Sequence, residues 1–467
     1  GEKLPAIRKL SSFLNVNTVT IVSAYKLLEE HGYVVSKVGS GTYVNPSIIE
    51  RKALSEAKKD DVTLETSHSE VSEKTYYEND NRGLKKIRYD FAGAAISPEF
   101  FPVKDFKDVL NEVLERDRGY AFDYHQSMGY YPLREALGCF MQKEYKINMS
   151  PDEIHVVSGA QQGIDIISKA FLHIEDRVFV ESPTYTGAID AFKSRGAKIV
   201  EIPMEEDGIN LDIFLTKLKN KPPKLFYTMP NFQNPTGYSY SREKKKELLD
   251  LSLKYNFLII EDDHMNDLYY EEKPVPLKTL DNAGRVLYIK SFSKLFMPGL
   301  RLAFILSPRE YAKKIADVKY FTDISSSGLT QRAMDLFLRK TLWPKHVKNI
   351  RSIFLKKRNA IKESFKIMPS EVNYTIPNGG LFFWVSLPEG FYSMNLYNEA
   401  LKHDILIMPG DIFFPEKRPS TGFRMSFAEI APDDINDGVE LLSKIIDEFL
   451  DKYRISPIRG TGYRPLI

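Results

Sequence analysis

Four polar residues within one short stretch, residues 291–301, have the chemistry to bind an aldehyde and a phosphate together. Lys294 carries an amine that can form a Schiff base with an aldehyde. Ser291, Ser293 and Arg301 supply hydroxyl and guanidinium groups for a phosphate close by. Pyridoxal 5'-phosphate (PLP) carries both groups, so the stretch predicts a PLP lysine. A lysine on a surface turn explains the same residues equally well, and the stretch alone does not decide between the two.

Size and composition narrow the class of protein. The chain has 467 residues and a net charge of +2, so any contact with nucleic acid must come from a local patch. Its single cysteine, Cys139, cannot form an internal disulfide and predicts a reducing, cytoplasmic setting. We expect no metal site, because cysteine and histidine do not cluster, and no membrane span, because no apolar run is long enough.

The elements that would position Lys294 alternate along residues 89–453. Short apolar stretches with strand character are separated by amphipathic helical stretches. They are 154–157, 178–180, 199–202, 225–228, 258–260 and 286–289. This alternation predicts an α/β domain whose mostly parallel sheet has helices on both faces. Ligands of such sheets bind at the carboxyl ends of the strands.

Two of the predicted strands are followed by residues suited to a phosphate and to a flat ring. Ala160 and Gln161 begin a helix after Gly159, where backbone N–H groups can hold a phosphate. Tyr185 follows strand 178–180 and can stack on an aromatic ring. An ordinary strand-to-helix turn and a core or surface tyrosine remain the alternatives.

Three further side chains suit the ring and a carboxylate ligand. Asn234, in the sequence Asn-Pro-Thr-Gly, can donate to the phenolic oxygen of a PLP ring. Asp262 can keep a pyridine nitrogen protonated, which makes the ring an electron sink. Arg424, in an alternating strand pattern, can bind a ligand carboxylate with both nitrogens. The alternatives are a loop, an acidic pair or metal site, and a structural ion pair.

Residues 1–46 predict a different unit. A helix over 7–14, a turn, a helix over 18–30 and two short strands joined at Ser40 form the plan of a winged helix-turn-helix. Residues 47–88 are rich in charged and small polar residues and predict a linker. Residues 454–467 have no helical periodicity and predict an extended or disordered tail.

The winged unit supplies candidate DNA contacts. Basic side chains before the turn and on the wing suit phosphates, and short polar side chains at the start of the second helix suit base edges. The candidates are Arg8, Lys9, Asn17, Thr18, Thr20, Lys37 and Ser40. A small protein-interaction domain is the alternative.

Taken together, residues 89–453 resemble the fold-type I PLP enzymes of the aspartate aminotransferase superfamily. The resemblance implies a three-layer αβα domain with a small C-terminal α+β subdomain, an aldimine between PLP and Lys294, and the roles named above for the other residues. It further implies that Ser291, Ser293 and Arg301 bind the phosphate. Tyr124 matches a tyrosine that reaches the phosphate of a neighbouring subunit, which implies a homodimer.

Residues 1–46 resemble the later part of a GntR-type winged helix, whose first helix would precede Gly1. The two parts in this order resemble the MocR-type regulators, which are GntR-family transcription factors with an aminotransferase-like domain. Such regulators usually carry a tyrosine two residues after the ring aspartate, whereas this chain has His264. A histidine can hydrogen-bond the same phenolic oxygen, but it brings its own titration.

We therefore expect a cytoplasmic PLP-binding regulator that binds operator half-sites as a dimer and senses PLP, an amino acid or an amine through Lys294. The alternative is an active aminotransferase with an accessory DNA-binding unit, because Asn234, Asp262, Lys294 and Arg424 are all present.

Overall fold

A computed structural model describes residues 3–14, 16–30, 34–37, 40–44 and 87–455 of the chain. The chain divides into two compact units, residues 1–71 and 72–467. No helix among the described residues is both long enough and apolar enough to cross a membrane.

The first unit has the predicted helix-turn-helix and hairpin. Helices α1 (Ile7–Leu14) and α2 (Thr18–Glu30) are followed by the antiparallel strands β1 (Val34–Lys37) and β2 (Gly41–Val44). Asn17 caps α2, since its side-chain oxygen accepts from the backbone N–H of Val19 at 3.0 Å. The Tyr25 hydroxyl donates to the carbonyl of Pro5 at 2.8 Å and ties α2 to the segment before α1.

A mostly parallel sheet forms the centre of the second unit. Its strands within the described residues lie in the order β4-β11-β10-β9-β8-β5-β6-β7. The neighbours from β10 to β6 are parallel, and β4, β11 and β7 add antiparallel edges. The bounds are β4 Ile154–Val157, β5 Arg177–Ser182, β6 Lys198–Glu205, β7 Gly208–Ile209, β8 Leu225–Thr228, β9 Leu258–Asp263, β10 Val286–Ser291 and β11 Ala303–Leu306.

Helices cover both faces of this sheet, as the alternation predicts. Successive strand residues point to opposite sides, so Phe226 and Tyr227 enter two different apolar clusters. The helices of this part are α3 Val103–Asp117, α4 Tyr131–Tyr145, α5 Ala160–Phe171, α6 Thr186–Ser194, α7 Leu211–Asn220, α8 Arg242–Tyr255, α9 Leu277–Leu280, α10 Arg309–Asp323 and α11 Gly328–Arg339.

A smaller α+β part completes the unit. A sheet of β12, β13, β16 and β15 is antiparallel, and β14 pairs in parallel with β3, the first strand after the linker. The elements are β3 Tyr89–Asp90, α12 Leu342–Ser364, β12 Asn373–Tyr374, β13 Phe382–Ser386, α13 Ser393–Leu401, β14 Ile405–Leu406, β15 Met408–Pro409, β16 Gly422–Ser426 and α14 Ile435–Ile455. The small subdomain was predicted, but its pairing with β3 was not.

The described residues include only parts of the predicted linker and of the predicted C-terminal tail. Of the linker 47–88, only residues 87 and 88 are described. Helix α14 continues through Ile455, two residues past the predicted end of the domain at 453. The remainder of the predicted tail, 456–467, lies outside the described residues.

Candidate cofactor and ligand site

Four neighbouring parallel strands, β10, β9, β8 and β5, end at one edge of the sheet. The residues predicted to contact the PLP ring, and the predicted PLP lysine, lie at or just after these ends. Asp262 is the second-to-last residue of β9, and Lys294 follows β10 by three residues. Asn234 and Tyr185 follow β8 and β5. Parallel strands end at the same edge, so the sequence order of these residues becomes proximity in the fold.

The Asp262 carboxylate is buried, and one of its two oxygens accepts a hydrogen bond from Tyr227. The Tyr227 hydroxyl donates to Oδ2 at 2.6 Å, while Oδ1 has no hydrogen-bond partner among the described residues. Burial raises the pKa of Asp262 from 3.8 to about 6, against the hydrogen bond from Tyr227 and the charge of Lys294, which lower it. The open oxygen is suited to a protonated ring nitrogen.

The protonation of His264 differs from what the sequence suggests. Its ring is buried and stacks on Phe382, with the centroids 6.4 Å apart. Burial, with the positive charges of Lys294 and Arg424, lowers the pKa of His264 to about 3. The imidazole is therefore neutral near pH 7, and the titration expected of it does not fall in the physiological range.

The phosphate side of the site is built from the start of α5 and the stretch after β10. Arg301, which has a positive φ of 51°, donates to the carbonyl of Ser158 at 3.1 Å. Gly159 packs so closely on this guanidinium that a Cβ would overlap it. Arg301 therefore lies beside the N–H groups of Ala160 and Gln161 at the helix N-terminus.

The two serines predicted to bind the phosphate lie at the end of β10 and just after it. The Ser291 hydroxyl accepts from the backbone N–H of Ser293 at 3.2 Å. The Ser293 hydroxyl is buried and has no hydrogen-bond partner among the described residues. The Gln161 side chain donates to the carbonyl of Gly187 at 2.7 Å, beside the ring of Tyr185.

Arg424 forms the ligand side. It is 1% exposed and lies against the faces of Phe382 and Phe413, at 4.5 and 5.2 Å from the ring centroids. Its guanidinium donates to Asn234 Oδ1 at 2.8 Å and to the Ala92 carbonyl at 2.9 Å. The arginine that suits a ligand carboxylate is thus joined directly to the asparagine that suits the ring oxygen.

These residues fit PLP. Asp262 Oδ1 and the Ser293 hydroxyl are buried polar atoms without partners in the described part of the chain, and burying such atoms is costly. A pyridinium N–H would satisfy the first and a phosphate oxygen the second. Bound PLP would thus be held by Asp262, Asn234, the two serines, Arg301 and the α5 N-terminus.

Two predicted groups of residues lie elsewhere. Tyr124 is on an exposed stretch of its own chain, with 82% of its surface accessible. Of the DNA candidates, Arg8, Lys9, Thr18 and Thr20 are exposed, and the Asn17 oxygen caps α2. Ser40 hydrogen-bonds the Tyr43 hydroxyl at 2.7 Å, while the side chain of Lys37 lies outside the described residues. These DNA contacts stay predictions.

Sequence reasoning missed Tyr227, Glu181 and Ala92. Tyr227 could have been found, because side chains alternate along a strand and the parallel pairing of β8 with β9 puts Tyr227 and Asp262 on one face. Nothing in the local sequence around Ala92 signals that its backbone carbonyl meets Arg424.

Comparison with known proteins identifies the family of each part of the chain. Residues 97–442 match the family model of aminotransferase class I and II, and residues 1–44 match that of bacterial regulatory proteins of the gntR family. The chain belongs to the GntR-type regulators with an aminotransferase-like domain. This confirms the family, the fold and the PLP-dependent class predicted from the sequence.

Similar proteins include both regulators and enzymes. The chain is 31% identical over 455 residues to the uncharacterized HTH-type transcriptional regulator YdfD of Bacillus subtilis, covering 97% of this chain and 93% of that protein. It is 33% identical to aromatic-amino-acid aminotransferase 1 of Thermococcus litoralis, covering 77% of this chain and 88% of that protein. The structure of Pyrococcus horikoshii kynurenine aminotransferase in complex with PMP superimposes with a TM-score of 0.78 at 31% identity, covering 85% and 99% of the two chains.

Replacing Asp262 by asparagine should have opposite effects on the empty and the PLP-loaded protein. The folded-state pKa of about 6 lies above the ordinary 3.8, so ionisation of Asp262 opposes folding as the pH rises through this range. Without PLP, Asp262→Asn should therefore gain about 2 kcal/mol relative to wild type between pH 4 and pH 7.5. With PLP, losing the charged partner of the ring nitrogen should weaken cofactor binding about tenfold or more.

Urea denaturation and PLP titration measure the two effects. Asp108→Asn, which changes an exposed carboxylate on α3, is the control and should alter neither. A PLP affinity unchanged by Asp262→Asn would contradict the assignment of Asp262 to the ring nitrogen.

Proposed function

We propose that this regulator senses PLP together with an amino acid at the Lys294 site and transmits their binding to its DNA-binding region. The observation that supports the proposal is that Asp262, which suits a pyridinium nitrogen, and the bonded pair of Asn234 and Arg424 lie in a chain that also has a GntR region. Bound PLP supplies an aldehyde carbon that can link covalently to Lys294 or to the amino group of a ligand. We place this function in the cytoplasm, where the DNA is.

The ligand class follows from Arg424. Its buried guanidinium, flanked by Phe382 and Phe413, favours a ligand with a carboxylate beside its amino group. We therefore favour an α-amino acid over a simple amine as the effector.

The segment after the linker supports the coupling. The Ala92 carbonyl accepts from Arg424, and the backbone N–H of Ile96 donates to the carbonyl of Lys294 at 3.3 Å. Residues 92–96 thus contact both the ligand arginine and the cofactor lysine, a few residues after the linker ends. A ligand that changes either contact changes the anchoring of this segment.

A homodimer is the second part of the proposal. The exposed aromatic surface comprises Tyr120, Phe122, Tyr124, Tyr320 and Phe321, each more than half exposed. Gly328, shortly after Phe321, lies against the backbone of Ala121 and Asp123, so the two stretches are neighbours. An open depression of about 410 Å³ beside Tyr120 and Phe122 adds a concave region to this surface. Apolar surface of this kind typically marks an interface.

Aminotransferase activity is a second candidate function. It is favoured by the joint position of Asn234, Asp262, Lys294 and Arg424 and by the enzymes among the relatives. In such a reaction the Lys294 amine would carry the proton between the ligand and the cofactor. The two functions are compatible, since a slow reaction can accompany sensing.

The sensing proposal predicts a ligand-dependent change in DNA affinity. The DNA to test is the region upstream of the gene that encodes this chain. PLP with an effective amino acid should change the dissociation constant of the protein for this DNA about fivefold or more. Lys294→Ala should abolish both the visible absorbance of bound PLP and this response. Arg424→Lys should keep the absorbance but lose the response, because the paired carboxylate contact is lost.

Fluorescence anisotropy with labelled DNA measures the response, and a panel of amino acids and their decarboxylated amines identifies the ligand class. Lys198→Ala and Arg242→Lys, which alter exposed cations elsewhere, are the controls. If the DNA affinity of the wild type is the same with and without PLP and every amino acid of the panel, the sensing proposal is wrong.

Aminotransferase activity predicts a chemical product. The PLP-loaded protein mixed with its amino acid should release the matching 2-oxo acid, and PLP should be converted to its amine form. Mass spectrometry and the absorbance spectrum report the two products, and Lys294→Ala should form neither. Absence of oxo acid at one equivalent of protein, for every amino acid that alters DNA binding, would leave regulation as the only function.

The dimer predicts that a charge on the exposed aromatic surface separates the subunits. Phe321 is 85% exposed, so Phe321→Glu should leave the folded chain intact but place a carboxylate in the interface. Analytical ultracentrifugation should find a dimer for the wild type at micromolar concentration and a monomer for the variant. Ile174→Glu, at an apolar residue 78% exposed elsewhere, is the matched control and should stay dimeric. A monomeric wild type would contradict the proposal.

A further inference from the structure

Glu181 is a fully buried carboxylate at the end of β5 that the proposed chemistry does not use. Four neutral groups donate to it. The Thr228 hydroxyl, the Met229 N–H at 3.1 Å and the Tyr240 hydroxyl at 2.7 Å reach Oε1, and the Gln233 amide reaches Oε2 at 3.1 Å. Burying a carboxylate is costly, so a site that keeps one with so many donors has a specific use for an acceptor there.

The donors to Glu181 all lie on β8 and on the loop that follows it. This loop, residues 229–240, carries Asn234. Gln233, directly before Asn234, donates to Glu181 and to the Pro183 carbonyl at 2.8 Å. Glu181 therefore fastens the loop to the end of β5 immediately before the asparagine.

The same loop is closed on the other side of Asn234. The Gln233 oxygen accepts from the backbone N–H of Thr236 at 2.9 Å and from its hydroxyl at 2.7 Å. The Gln233 amide is thus held by Glu181 through its nitrogen and holds Thr236 through its oxygen. Asn234 lies between Gln233, which donates to Glu181, and Thr236, which donates to Gln233.

We propose that Glu181 is a positioning residue, which orients the Asn234 amide toward the phenolic oxygen of bound PLP and toward Arg424. The inference rests on the proposed cofactor site. Since Arg424 donates to Asn234 Oδ1, the Asn234 nitrogen is the atom left to face the ring. Glu181 and the Pro183 carbonyl both accept from the Gln233 nitrogen, so Glu181 is the side-chain half of the contact that fixes which end of the Gln233 amide points to β5.

The substitution Glu181→Gln would weaken this arrangement of hydrogen bonds. A glutamine side chain presents one acceptor and one donor where the carboxylate presents two acceptors. In either orientation its NH₂ group would face a group that can only donate, the Gln233 amide nitrogen on one side or the Met229 N–H on the other. Burial already raises the pKa of Glu181 to about 7, and the four hydrogen bonds act against this rise by favouring the charged form.

The visible absorbance of bound PLP gives a readout that stability alone would not move. A donor at the phenolic oxygen favours the charged oxygen, so a misplaced Asn234 should raise the pH midpoint at which this absorbance changes. We expect Glu181→Gln in the full chain, loaded with PLP, to raise the midpoint by about 0.5 to 1 pH unit, the effect of one weakened hydrogen bond.

A double-mutant cycle tests whether the effect passes through Asn234. Asn234→Ala should raise the midpoint by itself, and adding Glu181→Gln should then raise it no further. Additive shifts would overturn the positioning role. Glu201→Gln, a carboxylate on the neighbouring strand that contacts Ser182 and Arg418, is the matched control and should leave the midpoint unchanged.

Further outcomes separate this inference from the cofactor site itself. If wild type shows no visible absorbance with PLP, the proposed site fails. Two outcomes with the wild-type absorbance present would refute only the role of Glu181. In one, the absorbance does not change between pH 5 and 10; in the other, it changes at the same pH midpoint in wild type and Glu181→Gln. If Glu181→Gln does not fold, Tyr240→Phe is the second variant, because it removes one donor to Glu181. It should raise the pH midpoint by a smaller amount. An unchanged midpoint in Tyr240→Phe would overturn the proposal.

Discussion

The burial of carboxylates at the carboxyl edge of the parallel sheet is the constraint on which this site depends. Glu181, Glu261, Asp262 and Asp263 are all buried at the ends of β5 and β9. A buried carboxylate is tolerated only when donors surround it. Each of these groups therefore holds a neighbouring strand or loop in place, and the site is assembled from the elements so held.

The three acidic residues of β9 show how this works. Glu261 accepts the backbone N–H groups of Leu277 and Lys278, both at 2.7 Å, and so fixes the start of α9. Asp263 accepts from the Lys290 ammonium at 2.9 Å and holds β10 beside β9, shortly before Lys294. Between them, Asp262 has one oxygen without a hydrogen-bond partner in the described part of the chain, and this is the oxygen that would face the ring nitrogen of PLP. The two neighbouring carboxylates thus hold the strands on which Asp262 is positioned.

Much of this could be predicted from the sequence, for a physical reason. Lys294, Asn234 and Tyr185 follow apolar strands, and parallel strands bring such positions to one edge whatever the details of packing. What could not be predicted depends on contacts between distant segments or on burial. The neutrality of His264 results from desolvation, and the bond of Arg424 to Ala92 joins residues far apart in sequence.

The contacts of Ala92 and Ile96 also determine where this chain can be divided. A cut before residue 87 leaves the backbone groups that meet Arg424 and Lys294 attached to the aminotransferase-like part. A cut after Ile96 removes both, although the family match begins only at residue 97. A junction that keeps both contacts must therefore lie upstream of β3, so the structural unit of this part begins earlier than residue 97, where the family match starts.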